Sequence, residues 1–382
     1  MSDSSQTAFF ELDLAALRAW CVDRSLPRYA AEQIASWVYQ RGVIDPAQMT
    51  DLSKVSRERL SREMIFLQGR VRLHQLATDD TQKLLVAWPR DASVSGAHDA
   101  DDATGATPPP STLALEMIDA NERRTECVMI PTDDRKTACI SSQVGCPVGC
   151  RFCASGLGGL EGNLTAGRII EQVWHLSQLE GVERISHIVF MGMGEPLANL
   201  AAVTAAIRTL HAPWGFGISA RRITVSTVGL PAAIKRLCDF ELPVTLALSL
   251  HAPTDDLRRQ IIPWAEYATV DELLDAAQAW FDKTGREITL EYILLGGVND
   301  RPVHATELAR LARSMRANVN LIRYNEVAGL PFTRPRDEDV LGFQEHLRER
   351  GVNTHIRRSR GRDIAAACGQ LRHEAKSTSA GA

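Results

Sequence analysis

No stretch of the sequence approaches the ~20 consecutive apolar residues that a membrane span requires. Its most apolar run, 244–250, already contains Thr245 and Ser249. The basic-then-apolar order of a secretory signal is missing too, because Met1 to Thr7 is polar and acidic. A cytoplasmic setting without membrane attachment is therefore expected. There the eight cysteines read as thiols, metal ligands or catalysts rather than structural disulfides. Neither sign of charge dominates, with 43 Lys and Arg against 47 Asp and Glu and a net charge of -4, which taken alone argues against a nucleic-acid partner. Aromatic residues make up only 6%, yet 45% hydrophobic and 24% charged residues are ordinary for folded chains and exclude wholesale disorder.

The 382 residues are enough for two or three domains, or for one barrel with an attachment. Leu14, Leu17 and Trp20, then Ile34, Trp37 and Val38, recur at helical spacing, so residues 1–65 are expected to form a small helical accessory domain. Residues 66–133 read as a β-hairpin extension, alternating about Asp79-Asp80. Within it, 91–112 holds four Asp, no Lys or Arg, three consecutive prolines and almost no large apolar side chain. It is expected to be a flexible insertion, with strands resuming at 113–118 and 126–130. From Thr137 onward, strands expected at 138–143, 187–191, 222–226, 244–249, 288–294 and 319–324 alternate with helices at 166–179, 200–210, 230–240, 270–281 and 304–315. Six such units require crossovers between parallel neighbours. The fold class is therefore α/β, a partial (βα)6 TIM-like barrel over 134–350, or else the same units in a flat doubly wound sheet. A last helix at 338–350 precedes a basic C-terminal segment, 351–382.

Charge is uneven along this plan. Residues 1–133 carry 14 basic and 20 acidic side chains, the remainder 29 and 27. Arg357, Arg358, Arg360 and Arg362 crowd into one short stretch with His355, as either a solvated strand or an anion-binding patch.

The strongest chemical signal is Cys146-Pro-Val-Gly-Cys150-Arg-Phe-Cys153, a CxxxCxxC in the loop after the first strand of the array. Three thiolates so spaced can ligate three irons of a [4Fe-4S] cluster and leave the fourth iron open. Zinc is the alternative, although structural zinc wants four ligands and no second CxxC is present. At the end of the second strand stands Gly192-Met-Gly194-Glu195-Pro196, whose glycines admit a ligand to the backbone and whose carboxylate can accept from an ammonium group. Ser226, the Ser249-Leu250-His251 run and Asn325 fall at later strand ends, where ligands bind in such folds. Each alone reads equally as a cap or turn residue.

At this point the residues resemble radical S-adenosylmethionine (SAM) enzymes. Within them, Cys139-Ile-Ser-Ser-Gln-Val-Gly-Cys146, Asn163-Leu-Thr-Ala-Gly167, Met191-Gly-Met-Gly-Glu-Pro196, Ser249-Leu-His-Ala-Pro253, Arg358-Ser-Arg-Gly-Arg-Asp363 and Cys368-Gly-Gln-Leu371 resemble the RlmN family of adenine-C2 methyltransferases. The resemblance runs over about residues 10–372. It implies a cluster on Cys146, Cys150 and Cys153, and SAM held by Gly194, Glu195, Ser226, Ser249, Leu250, His251 and Asn325. It implies two SAM molecules per turnover, one methylating Cys368 and the other yielding a 5′-deoxyadenosyl radical. Cys139 is then the resolving thiol, and Glu126 assists proton removal at C2. The implied partners are 23S ribosomal RNA, several transfer RNAs and an electron donor such as flavodoxin or ferredoxin, with the protein a monomer. Cys21, Cys127 and Cys238 match no motif. Arg323 and Ala365 depart from the residues common in the family, proline and aspartate. The competing expectations are the sister C8-methylating family and a zinc-stabilised RNA-binding module without catalysis.

Overall fold

Helices open the chain where the apolar spacing places them. The computed structural model describes residues 6–90 and 122–371. Its first part comprises β1 (Thr7–Ala8), α1 (Leu14–Asp23), α2 (Ala30–Ala35), α3 (Lys54–Glu63) and β2 (Met64–Ile65). Asp13 and Ser53 accept from the amides of Ala16 and Ser56, satisfying donors that a helix start leaves open. Leu17, Trp20, Ile34 and Val38 turn inward onto Phe9 and Phe10.

The remaining elements build one sheet and its cover. In chain order they are β3 (Arg70–Leu76), β4 (Gln82–Pro89), β5 (Glu122–Thr132), β6 (Arg135–Cys139), the small hairpin β7 (Gln143–Gly145) and β8 (Leu160–Asn163), and α4 (Ala166–Ser177). Then follow β9 (His187–Phe190), α5 (Leu200–His211), β10 (Ile223–Thr227), α6 (Pro231–Cys238), β11 (Thr245–Ser249), α7 (Asp255–Ile261) and α8 (Val270–Thr284). The last are β12 (Ile288–Leu294), α9 (Pro302–Arg313), β13 (Ala317–Arg323), α10 (Asp337–Glu349) and β14 (Thr354–Arg357). The ten-stranded order is β14-β13-β12-β11-β10-β9-β6-β5-β4-β3. From β6 to β14 all neighbours are parallel, whereas β3, β4 and β5 extend the sheet antiparallel from β6. The α/β class and six consecutive βα units are as expected, in an open sheet rather than a closed barrel. The insertion 91–112 and the strand at 113–118 lie outside the described residues.

Three local differences matter for the site. The first array strand stops at Cys139 because the Gln172 amide bonds both Ser141 N (2.9 Å) and Ser141 O (3.0 Å), and Asn199 Nδ2 bonds Ser142 O (2.9 Å). These side chains turn residues 143–145 out of the sheet. The short helix α7, capped by Thr254, was not foreseen. The basic segment supplies β14, a seventh parallel strand at the sheet edge, with Arg357 only partly exposed on it.

Helix α4 joins the two parts. Trp174 Nε1 donates to Val38 O at 3.2 Å, while the fully buried Glu171 carboxylate accepts from Gln68 N (3.1 Å) and Gly69 N (2.7 Å) where the chain enters β3. Leaving a buried donor unmade costs about 1–3 kcal/mol, so Glu171→Ala is expected to lower stability by about 2–6 kcal/mol in urea unfolding.

Candidate active site

The CxxxCxxC loop hangs beyond the parallel strands on backbone bonds rather than regular structure. Cys146 N donates to Gly159 O (2.9 Å), Arg151 N to Ile261 O (2.9 Å) and Cys153 N to Cys150 O (3.1 Å). At Gly145, φ is +73° and a Cβ would stand 2.0 Å from Gly159 O, so only glycine makes this turn. The three cysteines line one cavity with Gly192, Gly194, Glu195, Ser226, Ser249 and His251. Burial pushes the Cys146 thiol up to about 12 and raises Cys150 and Cys153 as well.

The donor set fits an iron–sulfur cluster. Among the described residues, no three His, Cys, Asp or Glu side chains converge as a single-ion site. A cluster asks for only one thiolate at each of three irons. A cluster with three thiolates is anionic, and a buried cation stands beside it. Arg258, 1% exposed, donates to Leu250 O at 3.2 Å and to Val228 O, and its charged neighbours are Cys150 and Asp255.

On the far wall, Gly194 has φ +102°, and a Cβ there would meet Gln143 Cβ at 2.6 Å. Glu195 is buried, its oxygens taken by Leu197 N (3.0 Å) and Val228 N (2.8 Å). Burial raises its carboxyl above the ordinary range against those bonds. Ser226 Oγ and Ser249 Oγ lie 3.2 Å apart at neighbouring strand ends. His251, at φ +59°, accepts from Ile293 N through Nδ1 at 3.1 Å, which leaves the proton on Nε2. Burial, helped by Arg258, lowers the imidazole to about 3. His251 is therefore expected to keep the neutral Nε2–H form from pH 5 to 8. A nitrogen-15 spectrum in which its ring titrates near pH 6.5 would contradict this.

A second cavity adjoins the first. Cys139, Arg135, Arg358, Ser359, Arg360 and Asn325 line it. Met191, Ile322, Arg357 and Cys368 line both cavities and so form the wall between them. The chain just after Cys368 is tied to the cysteine loop by two bonds, Ala154 N to Gly369 O (2.8 Å) and Ser155 Oγ to Leu371 O (2.6 Å). Burial pushes the Cys139 thiol up to about 12, with Cys368 adding to the rise and Arg357 opposing it.

Several expected site residues sit differently. The Leu250 side chain points into the core, and only its backbone reaches the site, through Arg258. Asn325 lies in the second cavity, with Nδ2 3.5 Å from Cys368 O and Oδ1 accepting from Arg334. Glu126 lines neither described cavity and pairs with Lys83 at 2.7 Å. Arg357 faces inward, donating to Met191 Sδ at 3.1 Å, instead of waiting outside for a phosphate. Two residues were missed, Arg258 and Glu291. Glu291, 3% exposed on β12, accepts from Asn320 Nδ2 through Oε1 (3.1 Å) and faces the charge of Arg357, while its buried Oε2 has no hydrogen-bond partner among the described residues. No local motif marks either one, since each gains its role from a neighbouring strand or loop.

Three cysteines spaced CxxxCxxC at the C-terminal edge of an open parallel sheet define a radical SAM protein, and residues 140–309 match the model of the Radical SAM superfamily. Residues 7–66 match the ribosomal RNA large subunit methyltransferase N-terminal domain. A probable dual-specificity RNA methyltransferase RlmN from Thermosynechococcus vestitus is 42% identical, over 94% of this chain and 96% of that protein. Its counterpart from Thermus thermophilus is 41% identical, over 90% and 88%. The crystal structure of a radical SAM methyltransferase from Sphaerobacter thermophilus superposes with a TM-score of 0.85 at 38% identity, covering 96% of this chain and 99% of that one. The chain belongs to the RlmN family, SAM-dependent RNA methyltransferases of the radical SAM class. Membership sets aside the non-catalytic zinc module. Among the described residues, no helix is long and apolar enough to cross a membrane.

Proposed function

We propose that the chain methylates C2 of adenosine, in the peptidyl-transferase loop of 23S ribosomal RNA and next to the anticodon of some transfer RNAs, with Cys368 as the methyl carrier and Cys139 as the resolving thiol. The observation that carries this reading is the place of Cys368, on the wall between the cavity of the cluster cysteines and the cavity of Cys139. One sulfur at that wall can take a methyl group on one side and deliver it on the other.

Carbon 2 of adenine is electron-poor and has no nucleophilic lone pair, so direct displacement on SAM does not serve. The Cys368 thiolate instead takes the methyl group from a first SAM by displacement at the sulfonium. When bound, the cluster and a second SAM supply a 5′-deoxyadenosyl radical that can remove hydrogen from an unactivated carbon. The S-methyl group of Cys368, having lost a hydrogen atom, adds to C2 and joins protein to RNA. The C2 proton then leaves to a base and one electron to the cluster, which cleavage of SAM would have left one electron short, and the ring is aromatic again. Cys139 thiolate then attacks the Cys368 sulfur, forming a disulfide, and the released methylene carbon takes up a proton to become the methyl group. A reducing setting, which the cytoplasm provides, resets the pair. The reading includes an electron donor of flavodoxin or ferredoxin type and a monomeric enzyme.

RNA recognition is supported by the rim of the second cavity. Arg135, Arg358 and Arg360 line that cavity. Such a concentration of positive charge favours phosphate, and the target base must leave its stack to reach Cys368. Arg323, which stands where proline is common in the family, pairs here with Asp337 at 3.3 Å. The test is nucleoside mass spectrometry of RNA treated with the purified enzyme. 2-Methyladenosine is expected, whereas 8-methyladenosine alone would assign the chain to the sister chemistry.

A further inference from the structure

The segment that carries Cys368 leaves β14 at one edge of the sheet and is fastened at the other. Thr78 N, in the β3–β4 turn, donates to Asp363 Oδ2 at 2.8 Å, and Gly361 N donates to Asp79 Oδ2 at 3.2 Å. Nearer to Cys368, the Lys83 ammonium donates to Ala365 O at 3.3 Å. Lys83 differs in kind from the other fasteners. Its side chain is 6% exposed, and the same ammonium lies 2.7 Å from Glu126 Oε1, on a side chain 5% exposed. Burying two charges is costly, and apolar residues would fill the same volume more cheaply if filling were the only need. The register Lys83↔Val128↔Cys139 also places Lys83 in the strand row that runs through the proposed resolving thiol.

Ala365 itself needs holding. At φ +50° it occupies the left-handed region that a residue with a Cβ resists. Its carbonyl is the one that Lys83 binds.

We propose that Lys83 is a positioning residue for methyl transfer: one buried ammonium fixes both the backbone just before Cys368 and the carboxylate of Glu126, keeping the methyl-bearing sulfur in register with the strands of Glu126 and Cys139. This rests on the reading of Cys368 as methyl carrier. Ala154 and Ser155 hold the far side of Cys368, so the sulfur is placed by one anchor from the sheet and one from the cluster loop.

The test uses the cluster-loaded full chain with Lys83→Met, together with Lys83→Met/Glu126→Gln, in which neither charge is left single. In both variants, amide hydrogen exchange at residues 364–368 is expected to rise about tenfold or more while β9 to β13 stay protected. For Lys83→Met acting on a 23S ribosomal RNA transcript, kcat is expected to fall about tenfold or more with KM changed less than about threefold, as for a displaced reacting group. Wild-type kcat in Lys83→Met, or exchange rising evenly across the sheet, would overturn the proposal. If intact-protein mass finds no methyl group on Cys368 in the wild-type enzyme, the functional reading fails instead. The exchange comparison then still decides whether Lys83 anchors the segment.

Discussion

Cys139→Ala is expected to turn the enzyme into a single-use reagent that ends bonded to its RNA. With Cys368 intact, the methyl group is loaded, loses its hydrogen and adds to the base, but no thiol remains to take the Cys368 sulfur. The expected result is a protein–RNA species migrating above the free protein on a denaturing gel, and a fall in 2-methyladenosine of about 10³-fold or more, the scale of losing a covalent partner. Cys368→Ala should give the same loss of product with no such species and no methyl on the protein. The contrast between the two variants is the informative part. It follows from the layout, in which Cys368 borders both cavities and Cys139 only the second. Cys139→Ala with undiminished turnover, or with no shifted band after reaction, would remove the resolving role.

Arg258→Met is expected to have the second-largest effect, on the cluster and on the fold together. The guanidinium is buried and satisfies two backbone carbonyls, Val228 O on the side of Glu195 and Leu250 O on the side of His251. Burial lowers it to about 10, against the pull of Cys150 and Asp255, so it remains a cation at neutral pH. Methionine fills much of the volume but leaves both carbonyls without a donor and the thiolates without a nearby positive charge. A loss of about 3–5 kcal/mol is expected in urea unfolding of the cluster-free protein. Iron per chain and absorbance near 400 nm after anaerobic reconstitution are expected to drop with it. Full iron content and unchanged stability in Arg258→Met would mean that the cation is incidental to both.

What could be read ahead of the structure follows from how local each feature is. The CxxxCxxC loop, the glycines at 192 and 194 and the six βα units are local in the chain, and all are where the spacing placed them. The helix α8 has both ends written in sequence, a capping box of Thr269 with Glu272 and a left-handed Gly285. Other features depend on partners far away. Strand β14 is only Thr354–Arg357, and until β13 offers Ile322 opposite Arg357 nothing local separates a solvated strand from an anion-binding patch. Arg357 therefore looked like a phosphate ligand and proved to be a wall of the site. Glu291 resembled any strand carboxylate until Asn320 paired opposite it. The end of the first array strand at Cys139 is set by Gln172 and Asn199, on later elements. Cys139 and Cys368 gave no signal of their own by spacing, and only the family resemblance linked them.

The strap formed by residues 358–371 also bears on the order in which the site is completed. Thr78 meets Asp363 across 285 positions of sequence, and Lys83 meets Ala365 across 282. All ten strands of the main sheet precede this strap in the chain, and the partners that fasten it lie at and beside the turn between β3 and β4. The wall that Cys368 forms between the two cavities therefore depends on contacts between the two ends of the described chain, and a cut in the strap would open it without touching the cysteine loop.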